Sequence, residues 1–317
     1  MSKEEIDVKN NSLRNSFLLF LTAFIWGTAF VAQAAGMEYI GPFSFSVLRY
    51  TIGGLFLIPV ICIIRKINTK RGVKNEDIKK SIKYGIGCGF ILCAASNFQQ
   101  MAMLKASTGK AGFMTALYII IVPILGIFLK RKTSWLIWIS VFLALIGLYF
   151  LCIGRGNSFV FESSDIQLLI CAIIFSFHIL YVDNANEKGV DGVVVSSTQF
   201  LTAALVSAFF VYPIDVVHYN MAPSLDLIRA ALPALCYSGF MACGVAYTLQ
   251  IVGQKDVNPT VASLILSLES VVSALSGFVI LGQKLSTDEV IGCVIMFVAI
   301  ILAEIPIPQN KSLGTDL

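Results

Sequence analysis

The sequence predicts an all-α integral membrane protein of ten transmembrane helices, built as two inverted five-helix repeats. Three observations carry this. Of the 317 residues, 57% are hydrophobic and only 13% charged, where soluble domains run near half and a quarter. The mean hydropathy is accordingly +0.82. Ten separate segments approach the roughly 20 apolar residues that a membrane crossing needs. The two halves of the chain also share a weak but ordered similarity.

The elements follow in order. Residues 1–16, MSKEEIDVKNNSLRNS, are polar and read as a cytoplasmic tail. They lack the charged start, short apolar core and small-residue cleavage site of a signal peptide, so the first apolar run reads as a permanent span. The spans fall at 17–36, 42–64, 82–104, 109–129, 135–153, 165–184, 193–214, 227–252, 258–281 and 286–305. Connections are short and leave no room for a separate extramembrane domain. The first repeat covers 17–153, the second 165–304, and 305–317 forms a second cytoplasmic tail. The eight cysteines lie in apolar stretches without a CxxC pair, and read as small buried residues rather than a metal or redox motif.

Lys and Arg accumulate on the cytoplasmic side of membrane proteins. With the N-terminus inside, 17 of the 23 basic residues fall on inner segments and 5 on outer loops, with Arg49 inside a span. This predicts both termini in the cytoplasm and a multi-pass protein of the cell (inner) membrane. The basic run RKINTKRGVK (65–74) reads as topology signal and contact with anionic lipid heads, not as a nucleic-acid site.

Shifted by 150 residues, FIWGTAFVAQ (24–33) falls on IFSFHILYVD (174–183). Shifted by 152, TALYIIIVPILGIFLKRKTS (115–134) falls on SLESVVSALSGFVILGQKLS (267–286). Five spans per half is an odd number, so the halves must lie upside down relative to each other. Such repeats mark many secondary transporters, with the substrate held near the midplane between them.

WGTAF (26–30), PFSFSVLRY (42–50), TGKAGFMTALYIIIVPILG (108–126) and PTVASLILSLESVVSALSGFVILGQKLS (259–286) resemble the EamA family of the drug/metabolite transporter superfamily. The resemblance runs from about 17 to 304 as two tandem units, and implies a ten-span metabolite transporter. Members of that family usually carry Gly-Glu near the end of the ninth span, where this chain has Gly282–Gln283.

Glu269 stands in an apolar run from Val257 to Leu281, 11 residues from Asn258 and 12 from Leu281. A charge at that depth costs about 2.5–3.5 kcal/mol on insertion scales. It must face a water-filled cavity, find a partner or stay protonated. Two roles stay open: a cavity carboxylate that binds a cationic group or couples a proton, and an anchor to a neighbouring helix. Arg49 is the other charge inside a span. It reads as a structural or pairing residue, with Glu269, Glu38 or helix carbonyls as partners, although its fork also suits a carboxylate. His178 reads as a proton relay or a satisfied core histidine. With only two histidines in the chain, no multi-His metal site is expected.

Polar and aromatic residues gather at mid-span: Trp26, Gln33, Asn97, Gln100, Thr115, Tyr118, Tyr181, Tyr247 and Gln250. Such groups face the interior of a helix bundle rather than lipid. With Thr28 and His178, which align in the repeat, and Glu269, they are the candidate pocket. Rings and amides suit an amino acid, a nucleobase-like metabolite or a flat cationic drug. Gly85 and Gly89 in YGIGCGF make a small-residue packing face, and Pro59, Pro123 and Pro233 are expected to kink their helices. No Walker, HExxH or GxSxG pattern occurs, and no cofactor is expected. The sequence thus predicts a non-enzymatic secondary transporter that exports small polar metabolites by alternating access. A membrane enzyme acting on lipid-linked substrates is the competing reading, and a channel the third.

Overall fold

The computed structural model describes residues 3–106, 108–129, 134–152, 162–255, 257–281 and 286–303. Every regular element among them is helical: α1 (Lys3–Met37), α2 (Pro42–Lys70), α3 (Ile78–Met103), α4 (Thr108–Ala116), α5 (Tyr118–Phe128), α6 (Trp135–Cys152), α7 (Ser163–Glu187), α8 (Gly192–Phe210), α9 (Leu225–Ala230), α10 (Leu232–Cys236), α11 (Thr248–Gly253), α12 (Pro259–Leu266), α13 (Glu269–Leu281) and α14 (Thr287–Ala303). Val211–His218 and Tyr237–Tyr247 are π-helical extensions of α8 and α10. In lipid, backbone polar groups have no water to bond, so continuous helices are the stable answer to runs this apolar.

Among the described residues, seven stretches are long and apolar enough to cross a membrane, while Trp135–Phe150 and Val290–Ala303 are shorter apolar helices. The structure therefore supports an α-helical membrane protein without reproducing ten full-length spans. The third expected span corresponds to α3, which does not join the seven. Its 26 residues carry lysines at one end and Ser96, Asn97, Gln99 and Gln100 at the other. Large apolar side chains such as Phe128, Phe209 and Val279 stand open on the outside, at 79%, 73% and 76% exposure, while polar groups are drawn inward. That is the reverse of a water-soluble surface.

Two apolar stretches are interrupted. Between α4 and α5 the chain tightens at Leu117, whose N–H bonds Met114 while its carbonyl accepts from Ile120, at 3.3 and 3.0 Å. Between α12 and α13 the same i to i+3 pattern recurs, Leu268 to Ile265 and Ser270 to Ser267, both at 3.1 Å. A short tightened turn inside a helix is a common feature of functional sites. Neither break falls at a proline. Pro59 and Pro123 lie inside α2 and α5, and Pro233 sits in the first turn of α10, where a missing N–H costs nothing.

The packing is reciprocal between the halves. α2 packs on α8, and α6 on α14. The α3–α8 contact is matched by α2 with Tyr237–Tyr247, α3–α7 by α1 with Tyr237–Tyr247, and α1–α13 by α5–α7. The interrupted helices cross, α4 against α13 and α5 against α12. Gly85 and Gly89 let α3 approach α8 closely, since a methyl at either would press into Thr198 or Thr202.

Both ends of the α2–α8 pair are tied. At one end Arg65 meets Asp191 at 3.3 Å, and Asp191 caps α8 through the N–H groups of Val193 and Val194. At the other, fully buried Asp215 accepts from the N–H groups of Phe43 (3.1 Å) and Ser44 (2.6 Å). It thereby caps α2 from a distant element. A side chain at Gly41 would collide with it. The shift of 150 that aligns the halves relates Arg65 to Asp215 and Gly41 to Asp191, so equivalent positions hold equivalent ends with different chemistry. Asp215→Ala is expected to lower stability by about 2 kcal/mol, because two buried N–H groups lose their acceptor. Thermal unfolding in detergent measures this, with Asp215→Asn retaining most of the loss.

Candidate functional site

The middle of the bundle holds a small cavity of about 40 Å³, lined by residues of α1, α2, α3, α4, α5, α7, the Tyr237–Tyr247 π segment and α13. Glu269 is one wall. It is the first residue of α13, so the interruption in the helix places it there, and an acid at a helix N-terminus is favoured by the macrodipole. It is 5% exposed and accepts a hydrogen bond from the Tyr118 hydroxyl at 3.1 Å. Tyr118 is the first residue of α5. The two helix breaks, one in each half of the chain, therefore meet through this bond.

Arg49 is another wall of the same cavity, also 5% exposed. Its Nη1 donates to Gln33 Oε1 at 2.6 Å and its Nη2 to the Tyr50 hydroxyl at 3.0 Å. The guanidinium lies 4.6 Å from the Tyr50 ring centre, and its Nε has no partner. Gln100 donates to the same Gln33 oxygen. The pairing expected for Arg49 is thus replaced: its partners are neutral. Among the described residues neither Arg49 nor Glu269 forms an ion pair. A buried charge without its counterion is strongly unfavourable. Here a guanidinium and a carboxyl group face one space, each held only by neutral groups.

Aromatic and amide side chains complete the walls. The Trp26 indole donates to the Ala242 carbonyl at 3.2 Å, and its ring lies 4.5 Å from that of Tyr247. Thr22 donates to the Ala246 carbonyl at 3.1 Å. The π segment leaves carbonyls outside the regular α pattern, and α1 side chains take up two of them. Gln99 donates to Thr115 at 3.0 Å.

Of the candidate residues, Trp26, Gln33, Thr115, Tyr118, Tyr247 and Glu269 line the cavity, and Gln100 stands behind Gln33. The others lie elsewhere. Thr28 bonds the Ile25 carbonyl at 2.8 Å and the Tyr237 hydroxyl. Asn97 donates to Ser207 at 2.8 Å. His178 is fully buried, bonded to Gln199 at 3.0 Å, with its ring edge toward Tyr247 at 6.1 Å. Tyr181 packs on Tyr84 with ring centres 5.7 Å apart. Gln250 is buried outside the cavity. Gly282–Gln283 lie outside the described residues.

Helical phase explains the separation. At about 100° per residue, Trp26, Phe30 and Gln33 share one face of α1, and Thr28 points nearly the opposite way. Ser96 and Gln99 share a face of α3 that Asn97 leaves. Phe30, Ser96, Gln99, Phe175, Ala242 and Cys243 also line the cavity and were not among the candidates. The i, i+4, i+7 spacing of 26, 30 and 33 carries a readable signal for Phe30, whereas the π segment leaves none for Ala242 and Cys243.

Helices that enclose a central cavity and turn large apolar side chains outward define an α-helical membrane protein. The chain belongs to the EamA-like transporter family, which it matches over residues 14–153 and 163–304. It is therefore a multi-pass membrane transporter. Similar proteins include an uncharacterized transporter of Archaeoglobus fulgidus, 27% identical over 90% of this chain and 84% of that one. Another is the uncharacterized transporter YwfM of Bacillus subtilis, 24% identical over 90% and 92%. The uncharacterized inner membrane transporter YedA of Escherichia coli is 23% identical over 90% and 88%. A crystal structure of a protein 20% identical in sequence superposes with a TM-score of 0.72, over 92% of this chain and 96% of the other, and has the same fold.

Proposed function

We propose that this transporter is a secondary active exporter of small zwitterionic metabolites of the amino-acid type, working by alternating access. One observation carries the reading: Arg49 and Glu269, a buried base and a buried acid, face one cavity on neutral partners only. A zwitterion supplies both missing counterions at once, its carboxylate to the Arg49–Gln33 side and its ammonium to Glu269 and Tyr118. The Trp26, Phe30, Phe175 and Tyr247 side chains bound the space left for its side chain.

Two inverted repeats of five spans, with both termini in the cytoplasm, are the arrangement that the reciprocal packing and the basic-residue asymmetry support. The site lies where interrupted helices of the two halves meet, which is where transporters of this architecture bind substrate. The export direction rests on the family resemblance.

Cells overproducing the chain are expected to resist toxic amino-acid analogues and to accumulate less labelled analogue than cells with empty vector. Resistance confined to cationic dyes, or to none of these, would contradict the reading. Tyr118→Phe removes the hydrogen bond to Glu269, about 1.5–3 kcal/mol when that group carries the charge that meets the ammonium, and is expected to lower transport efficiency about 10- to 100-fold. Initial rates in proteoliposomes against substrate concentration test this.

A further inference from the structure

A second space lies away from the central cavity. A crevice of about 690 Å³ runs between α3, α5 and α7. Its walls are apolar, from Ile91, Leu125, Phe128, Phe177 and Leu180, and Phe128 and Phe177 stand open to the outside at 79% and 49% exposure. One end is polar, where Tyr181, Asn184 and Glu187 form the rim.

That rim adjoins the start of α3. Tyr84 packs on Tyr181, and the Lys80 ammonium donates to the Lys188 carbonyl, one residue beyond Glu187. Lys79, Lys83 and Lys188 are exposed there. Asp77, the nearby acid on α3, is engaged in capping the N–H groups of Lys79 and Lys80. An apolar slot open to the bilayer thus ends beneath four lysines, with Glu187 as the carboxylate on its rim.

We propose that this crevice seats an anionic glycerophospholipid of the leaflet at that end, with an acyl chain between α5 and α7 and the phosphodiester beside Lys80 and Lys188. The apolar walls alone confer no preference, because lipid tails are as apolar as leucine. The preference comes from the lysines, each worth about 1 kcal/mol toward an anionic headgroup. Glu187, the capping Asp77 and Glu76, whose carboxylate comes within 3.9 Å of a methyl placed at Gly189, oppose part of this, and the four cations leave a net positive balance.

The test is native mass spectrometry of the full chain, purified from vesicles of equimolar phosphatidylglycerol and phosphatidylethanolamine. Phosphatidylglycerol is expected to be retained about tenfold over phosphatidylethanolamine, roughly 1.4 kcal/mol. K79Q/K80Q/K83Q/K188Q is expected to lose this preference. K66Q/K70Q/R71Q/K74Q, which removes cations along the end of α2, is expected to keep it. Leu125→Trp fills the slot and is expected to reduce retention of both lipids at unchanged gel-filtration behaviour. Equal retention of the two lipids by the unaltered chain would overturn the proposal. So would equal loss in the two quadruple variants, which reports surface charge alone, or full retention by Leu125→Trp. The readout is bound lipid, so it stands or falls separately from the transported substrate.

Discussion

Glu269→Gln is expected to lower transport of a zwitterionic substrate by about 10- to 100-fold at equal abundance in the membrane. A hydrogen bond to a charged group contributes about 1.5–3 kcal/mol, and each 1.4 kcal/mol is a factor of ten. The amide keeps the shape of the side chain and still accepts from Tyr118, now bonded at 3.1 Å, so the wall of the cavity stays in place. What is removed is the charge that an ammonium group would meet. A purely structural anchor at this position predicts something different: loss of protein from the membrane with unchanged transport per molecule. Rates normalised to purified protein separate the two.

Arg49→Met is expected to act in opposite directions on stability and function. The guanidinium is buried, held by Gln33 and Tyr50, and lacks a counterion among the described residues. Replacing an uncompensated buried charge by an apolar side chain of similar length is often neutral or stabilising, so the ligand-free variant is expected to melt no lower than the parent. Removing a charge that a bound carboxylate would use costs about 2–5 kcal/mol, which puts the loss of affinity at roughly 30-fold or more. Thermal shift with and without substrate reads both effects from one sample. A variant that melts several degrees lower and binds normally would return Arg49 to a structural role.

Much of this was legible in the residues. Apolar length located the helices, and mid-span polarity named Trp26, Tyr118 and Glu269, which share one cavity. Three features escaped for identifiable physical reasons. The breaks at Leu117 and Ser267–Leu268 carry no proline or glycine, because both are tightened turns that ordinary residues adopt. The partners of Arg49 come from α1 and from its own neighbour Tyr50, a tertiary outcome that no spacing encodes. Asp215, one residue beyond the expected span 193–214, caps a helix that begins 173 residues earlier at Pro42, a contact between distant elements that no local pattern signals. Asn97 was drawn into the candidate pocket by depth and Thr28 by its alignment with His178 in the repeat; depth is set by position along the helix, and facing by phase around it.

The most direct measurement of the central claim is substrate counterflow in proteoliposomes. An amino acid that the protein carries would be compared with its methyl ester, which lacks the carboxylate, and its N-acetyl derivative, which lacks the ammonium. Paired buried charges predict saturable counterflow for the amino acid and at least a tenfold lower rate for each derivative. They also predict that Arg49→Met narrows the gap to the ester, and Glu269→Gln the gap to the N-acetyl compound. Equal rates for all three compounds would contradict the assignment of Arg49 and Glu269 as the two poles of the site.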